Sequence, residues 1–523
     1  MVEIRKLFKH SAQYLSGRVL VMLLGFISFP LFTRLFSVAD YGTINLIVKI
    51  VVTVAILSKL GIQHSIVRFY GSYSGPDAIR RFCSTVVWGG VLGAALVALS
   101  SGIVLATLPM GSTKAAIRGV SITAMLLVFT GGLRPIMSNV LRAQEKTKFY
   151  NVLEVINKII GIVVVCGLVF LLGATPQAYL GGTLVGESIA VGMVIWYLMR
   201  NGFFSPKVFD CKIFLTALRF GAPLIAYEVA GMVLDSGDRV VVNAYLGPTQ
   251  LGYYSAAYNV STYIQELLAT PLNLALFPLC VDLWHKSGGY ERTQTFLNTA
   301  FRYYLAASIG LLAIVSVTAR DSMVVLASPK FLESYRLIPL LVAGMIVFAT
   351  TFFFNMGLAL FNKTVHMAVL TIAGAALNIG LNIVLLPIMG IQGAALATFL
   401  SFLAMAIATA VASFRYLPLK VFSGNLLRYL LAGSIAVILV RPLSFRYVII
   451  ELTIRGTAAL AIYVAFLYLT DSEIRGAAQR LVGSIRQAVS VAGNPEVPAG
   501  IPCVAHATPT EGDRCASAMA GEK

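Results

Sequence analysis

The chain has 523 residues, of which 58% are hydrophobic and only 12% charged, with a mean hydropathy of +0.84. A water-soluble domain carries about 25% charged residues, so a soluble enzyme body is excluded. Nucleic acid is not the expected partner either. The net charge of +18 arises from 40 Lys and Arg against 22 Asp and Glu, but these charges sit largely in short loops between apolar runs.

Hydrocarbon as solvent explains the composition. A spanning helix needs about 20 mostly apolar residues and pairs its backbone polar groups within itself. Residues 1–11 form an interfacial N-terminal segment: Ile4, Leu7, Phe8 and, just beyond it, Leu15 lie near one helical face, with Arg5, Lys6 and Lys9 elsewhere. Fourteen apolar segments follow, near 12–33, 42–61, 84–108, 117–140, 151–172, 178–199, 214–234, 253–280, 299–318, 337–360, 366–388, 391–413, 424–441 and 447–470. The first is too long for a cleaved signal and lacks a cleavage motif, so it reads as a signal anchor.

The expected organisation is an all-α polytopic membrane protein of about 14 transmembrane helices. A first six-helix bundle covers 12–200, a second covers 214–414, and two additional helices cover 424–470. The tail, 471–523, begins as an amphipathic stretch, with Ile474, Leu481, Ile485 and Val489 against Arg475, Arg480 and Arg486. Beyond about 491 it reads as disordered. Alternate loops are rich in Arg and Lys (Arg68, Arg80, Arg81; Arg142, Lys146, Lys148; Arg200, Lys207, Lys212), which places both termini in the cytoplasm by the positive-inside rule.

An internal repeat supports the two bundles. FTRLFSVADYGTINL and VVNAYLGPTQLGYYSA align with Gly42 on Gly252, an offset of 210 residues. Val152 aligns with Val369 and Gly173 with Gly390, both at an offset of 217. Six spans separate the copies, so the repeat is parallel, and a substrate site between two such bundles is a common transporter plan.

No GxxxxGK[ST] loop occurs and no loop exceeds about 25 residues by this reading, so neither ATP hydrolysis through a P-loop nor an inserted catalytic domain is expected. The six cysteines are scattered, with no CxxC, and indicate neither a disulfide framework nor a metal site; no cofactor is expected.

Chemistry must then come from charges inside the apolar runs, which are expensive there and therefore point to function. The basic ones are Arg18, Lys49, Arg134, Lys158 and Arg239; the acidic ones are Glu154, Glu187, Glu228, Asp235, Asp238 and Glu266. Glu154 and Lys158 are spaced i, i+4 and can pair locally, as can Asp235 and Arg239. Asp235, Asp238, Glu187 and Glu228 are the coupling or structural acids. Arg18, Lys49 and Arg134 have no local carboxylate and fall in the first bundle. Facing inward, they would make a cationic cavity for an anionic headgroup; the plain alternative is snorkelling to the interface. Tyrosines at 227, 253, 254, 258 and 263 would serve as packing or as apolar faces for sugars.

The run KLFKHSAQYLSGRVLVMLLGFISFPLFTRLFSVADYGTINL, then GIQHSIVRFYGSY, VLRAQEKTKFYNVLEVINKI and RFGAPLIAYEVAGMVLDSGDRVVVNAYLGPTQLGYYSAAYNV, resembles the polysaccharide transporter, or O-antigen flippase, family across about residues 5–470. The resemblance implies a member of the multidrug/oligosaccharidyl-lipid/polysaccharide exporter superfamily in the bacterial inner membrane. It implies a flippase moving an undecaprenyl-pyrophosphate-linked oligosaccharide, an O-antigen or exopolysaccharide repeat unit, from the inner to the outer leaflet by alternating access. On this reading Arg18, Lys49, Arg134 and Arg239 bind substrate, and the implied partners are the lipid-linked oligosaccharide, membrane lipids, a polysaccharide polymerase and a chain-length regulator. A cation-coupled multidrug antiporter is the main rival, opposed by a first span with Arg18 and no acid; a polysaccharide polymerase or ligase is the other, opposed by the lack of a long outer loop.

Overall fold

The computed structural model describes residues 2–107, 114–421, 424–476 and 479, with the side chains of 2–16, 18, 104–107, 114–119 and 273–275 outside the described set. Residues 1–466 pack as one unit and 467–523 as a second, of which only the first few residues are described. Within that short second stretch Arg475 Nε donates to Tyr468 O at 2.9 Å. Apart from 471–476 and 479, the predicted amphipathic and disordered tail lies outside the described residues.

The described chain is helical and has no strand among the described residues. Its helices are α1 (Val2–Leu35), α2 (Val38–Ser58), α3 (Ile62–Phe69), α4 (Pro76–Thr107), α5 (Lys114–Ala143), α6 (Thr147–Leu172), α7 (Pro176–Arg200), α8 (Cys211–Trp284), α9 (Gly289–Leu326), α10 (Ile338–Leu360), α11 (Thr364–Met389), α12 (Ile391–Phe414), α13 (Gly424–Val440) and α14 (Val448–Thr470). Eleven are long and apolar enough to cross a membrane, and two shorter apolar stretches, Val19–Leu35 and Gly424–Val440, join them. The predicted fourteen spans would follow only if both short helices cross and α8 counts as two.

Local chemistry sets the breaks. Ser37 caps α2 by accepting from Asp40 N at 3.1 Å, and Asp210 caps α8 by accepting from Lys212 N at 2.9 Å. α8 is broken once, at Gly247 (φ 78°, ψ 179°), where Pro248 follows. Proline disfavours helical backbone in the residue before it, and glycine tolerates the positive φ. α1 runs unbroken from Val2, so the expected N-terminal segment shares one helix with the first span. α3 falls between the second and third expected apolar segments. It buries Ile62 and Ile66 on one face, but eight residues with four polar or charged ones give no apolar run.

α1, α2 and α4–α7 pack into a first lobe, and α8–α12 into a second. The turns entering α6 and α11 repeat closely. Glu145 (φ 57°) and Asn362 (φ 56°) both adopt the left-handed conformation, 217 residues apart. Lys146 N donates to Leu141 O, and Lys363 N to Leu358 O, at the same offset. Both helices end on positive-φ glycines, Gly173 and Gly390. α2 lies along α8, α3 also packs on α8, and α13 packs on α9.

Candidate functional site

The two lobes touch at both ends of their interface. At the end carrying the α1–α2 junction, a methyl on Gly42 would stand 2.6 Å from Gly252 N, so only glycine lets these backbones meet. There Thr33 Oγ1 donates to Ala327 O at 2.5 Å and Arg34 Nη2 to Val325 O at 2.8 Å. Lys330 donates to the carbonyls of Arg34 and Phe36, and burial pushes its pKa below the ordinary lysine value. At the opposite end, carrying the α2–α3 junction, Gly61 (φ 70°) meets Gly221, and Ser65 Oγ donates to Ala217 O at 2.6 Å.

Between these contacts lies a cavity of about 100 Å³. α1 contributes Ser28, Phe29 and Phe32, the α1–α2 junction Phe36, and α2 Tyr41, Ile44, Asn45 and Val48. Lys158 of α6, Tyr179 of α7, and Asn259 and Tyr263 of α8 close it. Asn259 Nδ2 donates to Tyr41 Oη at 2.8 Å and to Asn45 Oδ1 at 3.1 Å, so α2 and α8 share one polar network in its wall. Phe29 meets Tyr41 and Tyr263 edge to face, at 6.3 Å each. A water occupies about 30 Å³, and ligand pockets measure about 300–1,000 Å³. The cavity therefore holds a few waters, and any glycan-sized occupant requires the lobes to part.

Lys158 is the unexpected member. It makes no hydrogen bond or ion pair among the described residues. The spacing had offered it to Glu154. Instead Glu154 accepts from Arg134 Nη1 at 2.7 and 2.9 Å, while Arg134 Nε donates to Glu187 at 2.7 Å. A planar guanidinium can serve two carboxylates at once, which an ammonium on the same helix as Glu154 does not match. Asn157 also donates to Glu187, at 3.3 Å.

The second expected local pair changes in the same way. The Asp235 carboxylate takes Lys49 Nζ at 2.6 Å, across the lobe interface. Arg239 Nη1 donates to the backbone carbonyl of Asp235 at 2.9 Å and lies 4.2 Å over the Tyr258 ring. Its neighbour Asp238 accepts from Tyr254 Oη at 2.5 Å, with Thr398 at 3.5 Å. Asp238 and Arg239 are 1% and 0% exposed, which removes both from any open surface. Glu228 takes Lys59 Nζ at 3.1 Å and Gln63 Nε2 at 2.8 Å, again across the interface, with His64 at 3.8 Å.

The eight residues singled out from the sequence are therefore not gathered in one place. Lys49, Asp235 and Glu228 sit on the lobe interface; Arg134 and Glu187 are tied together inside the first lobe; Asp238 and Arg239 are sealed in the second. Arg18 lies on α1 and its side chain is outside the described set. Lys158, Asn45, Asn259, Tyr41 and Tyr179 were not singled out as a site, although Lys158 carried the signal of an intramembrane charge. Among the described residues no cluster of three or more His, Cys, Asp or Glu could hold a metal ion.

Residues 7–284 match the family model described as polysaccharide biosynthesis protein. An uncharacterized membrane protein of Methanocaldococcus jannaschii is 20% identical over 388 residues, 70% of this chain and 76% of that one. Among solved structures, the lipid II flippase MurJ in an inward closed conformation superposes with a TM-score of 0.73 at 15% identity, covering 87% of this chain and 98% of that one. An inward-facing multidrug resistance MATE transporter of the MOP superfamily gives 0.55 at 14% identity, over 78% and 93% of the two chains. The Vibrio cholerae MATE transporter VcmN gives 0.52 at 15% identity, over 79% and 96%. At these identities the likeness concerns the fold.

Proposed function

The chain belongs to the polysaccharide biosynthesis protein family, and from that premise we propose that it is a flippase for an undecaprenyl-pyrophosphate-linked oligosaccharide. The observation that carries the reading is the cavity between the lobes, where Lys158, without a hydrogen bond or ion pair among the described residues, faces tyrosines and amides. Lysine suits phosphate as a point charge. Tyr41, Tyr179 and Tyr263 offer apolar faces with polar tips, and Asn45 and Asn259 offer both donors and acceptors to hydroxyls.

A glycan cannot cross hydrocarbon unaided, because each unpaired hydroxyl costs several kcal/mol. A wet cavity that opens at one end of the lobe interface and then at the other removes that cost, while the prenyl chain stays in the bilayer. The basic loops orient the α2–α3 end toward the cytoplasm. With that side negative, outward movement of an anion gains about 2.3 kcal/mol per charge per 100 mV. Lys158 joins Arg18 and Lys49 as the proposed phosphate contacts. Arg134 and Arg239, engaged inside their own lobes, hold the helices that form the cavity. The expected setting is a bacterial inner membrane with both termini cytoplasmic, beside a polymerase and a chain-length regulator.

Depletion of the protein in its own cells, followed by mass spectrometry of undecaprenyl-linked lipids, tests the reading. A finished repeat unit should accumulate on the cytoplasmic leaflet, and its mass identifies the glycan. Accumulation on the outer leaflet would instead indicate a polymerase or ligase. No accumulation, with raised sensitivity to cationic drugs, would replace the flippase by an antiporter.

A further inference from the structure

The two interlobe ion pairs share one polarity. Lys49 and Lys59 both belong to α2 or its C-terminal cap, and their partners Asp235 and Glu228 both belong to α8 before its break at Gly247. Separating α2 from α8 therefore breaks both pairs together and leaves two lysines on one wall and two carboxylates on the other. The four side chains are partly exposed, so separation forfeits two partly screened attractions rather than stranding buried charges, and this end resists opening while it is empty.

We propose that Lys59 and Lys49 form an anion-binding track, closed here by carboxylates that occupy the places of a substrate's phosphates, and that an anionic lipid headgroup opens the α2–α3 end by replacing them. The identity of the anion as a lipid pyrophosphate rests on the flippase reading; the exchange itself does not. Lys59 stands at the mouth. Lys49 is ten residues back along the helix, about 15 Å deeper. Asn45 and Val48, within one turn of Lys49, already line the cavity that holds Lys158. A headgroup would thus be passed along three lysines in order.

Phosphate oxygens accept from an ammonium as carboxylates do, and Gln63, which donates to Glu228, can turn to the same ligand. When the headgroup moves on, Glu228 and Asp235 retake the lysines and the end closes behind it. A neutral lipid has nothing to offer the lysines and does not open this end. The α1–α2 end is built differently: its cations Arg34 and Lys330 donate to carbonyls across the interface, and no carboxylate bridges the lobes there among the described residues.

The test uses the full chain in lipid nanodiscs, with native cysteines replaced and spin labels at Ser72→Cys and Ser287→Cys, exposed positions on the two lobes at the α2–α3 end. Farnesyl pyrophosphate should populate a longer label distance, and farnesol should not. The variant Lys49→Gln, Asp235→Asn, Lys59→Gln, Glu228→Gln keeps hydrogen-bonding pairs without charge. It should need at least about 10-fold more farnesyl pyrophosphate for the same change, a loss of about 1.4 kcal/mol. An equal response in that variant, or no response in the native chain, would overturn the exchange. If the gate answers pyrophosphate but no lipid-linked glycan accumulates on depletion, the flippase reading falls and the anion gate stands. If glycan accumulates and the gate ignores pyrophosphate, only the gate falls.

Discussion

Gly42 and Gly252 meet backbone to backbone across the lobe interface, with a methyl on Gly252 directed at Val38 O and one on Gly42 at the Pro248 carbonyl. They are the two positions that the repeat aligns, so the closest approach of the lobes at this end joins equivalent points of the two copies. Gly42→Ala should wedge the α1–α2 end apart. Overpacking costs about 1–3 kcal/mol, which lowers occupancy of the closed state roughly 5- to 150-fold. A cysteine at Asn259, beside the cavity, should then react with a membrane-impermeant maleimide added at that end, at unchanged protein level. Labelling no faster than in the Asn259→Cys background would show that the wedge is absorbed elsewhere.

Arg134 separates a structural cation from a substrate contact. Its guanidinium carries two half-buried carboxylates, Glu154 and Glu187. Arg134→Ala strands both and should cost about 3 kcal/mol, the scale of one uncompensated charge within a span. Lower membrane abundance and a lower melting temperature in detergent are the expected readings. Arg134→Met combined with Glu154→Gln and Glu187→Gln should recover most of that stability, since neither carboxylate is left without its cation. Normal abundance of Arg134→Ala with loss of flipping alone would return Arg134 to the substrate path.

Lys158 makes the opposite prediction. It makes no hydrogen bond or ion pair among the described residues, and Glu187, the carboxylate that attracts it, keeps Arg134, so Lys158→Met should leave abundance and melting temperature nearly unchanged. Flipping, read as the build-up of lipid-linked repeat unit, should fall at least about 10-fold, the worth of one modest charged contact of about 1.4 kcal/mol. Lys158→Arg should retain part of the activity. Full activity in Lys158→Met would remove the cavity from the pathway.

The contrast between these two residues shows how far the sequence could be read. Apolar runs give the helices, because each must satisfy its backbone alone, and glycine positions give the repeat. Pairing is another matter. Spacing on one helix offers Lys158 to Glu154 and Arg239 to Asp235, yet the contacts join Arg134 to Glu187, 53 residues on, and Lys49 to Asp235, 186 residues on. Which helix faces which is set by side-chain packing between lobes, and no periodicity within one segment encodes it. One signal was available: Arg134 and Lys158 balance Glu154 and Glu187 in number, which pointed to a shared cluster. α3 escaped for a different reason, since its polar half hides it from any apolar window.

The pair α13 and α14 stands apart from the cavity, and Arg455 is what ties α14 to the second lobe. Its Nη1 reaches Asp321 of α9 at 3.0 Å and Glu451 of α14 at 2.6 Å, while Nε donates to Leu443 O at 2.8 Å. Asp321 and Glu451 are buried, at 2% and 8% exposure. Tyr463 Oη adds a bond to Ala306 O at 2.7 Å. Arg455→Ala leaves two carboxylates repelling each other without the cation that bridges them, so α14 should loosen from α9 and the melting temperature should fall. Because none of these residues lines the cavity or the lobe interface, the protein that remains should flip at a normal rate per molecule. A variant with native stability but slowed flipping would instead make this helix pair part of the transport path.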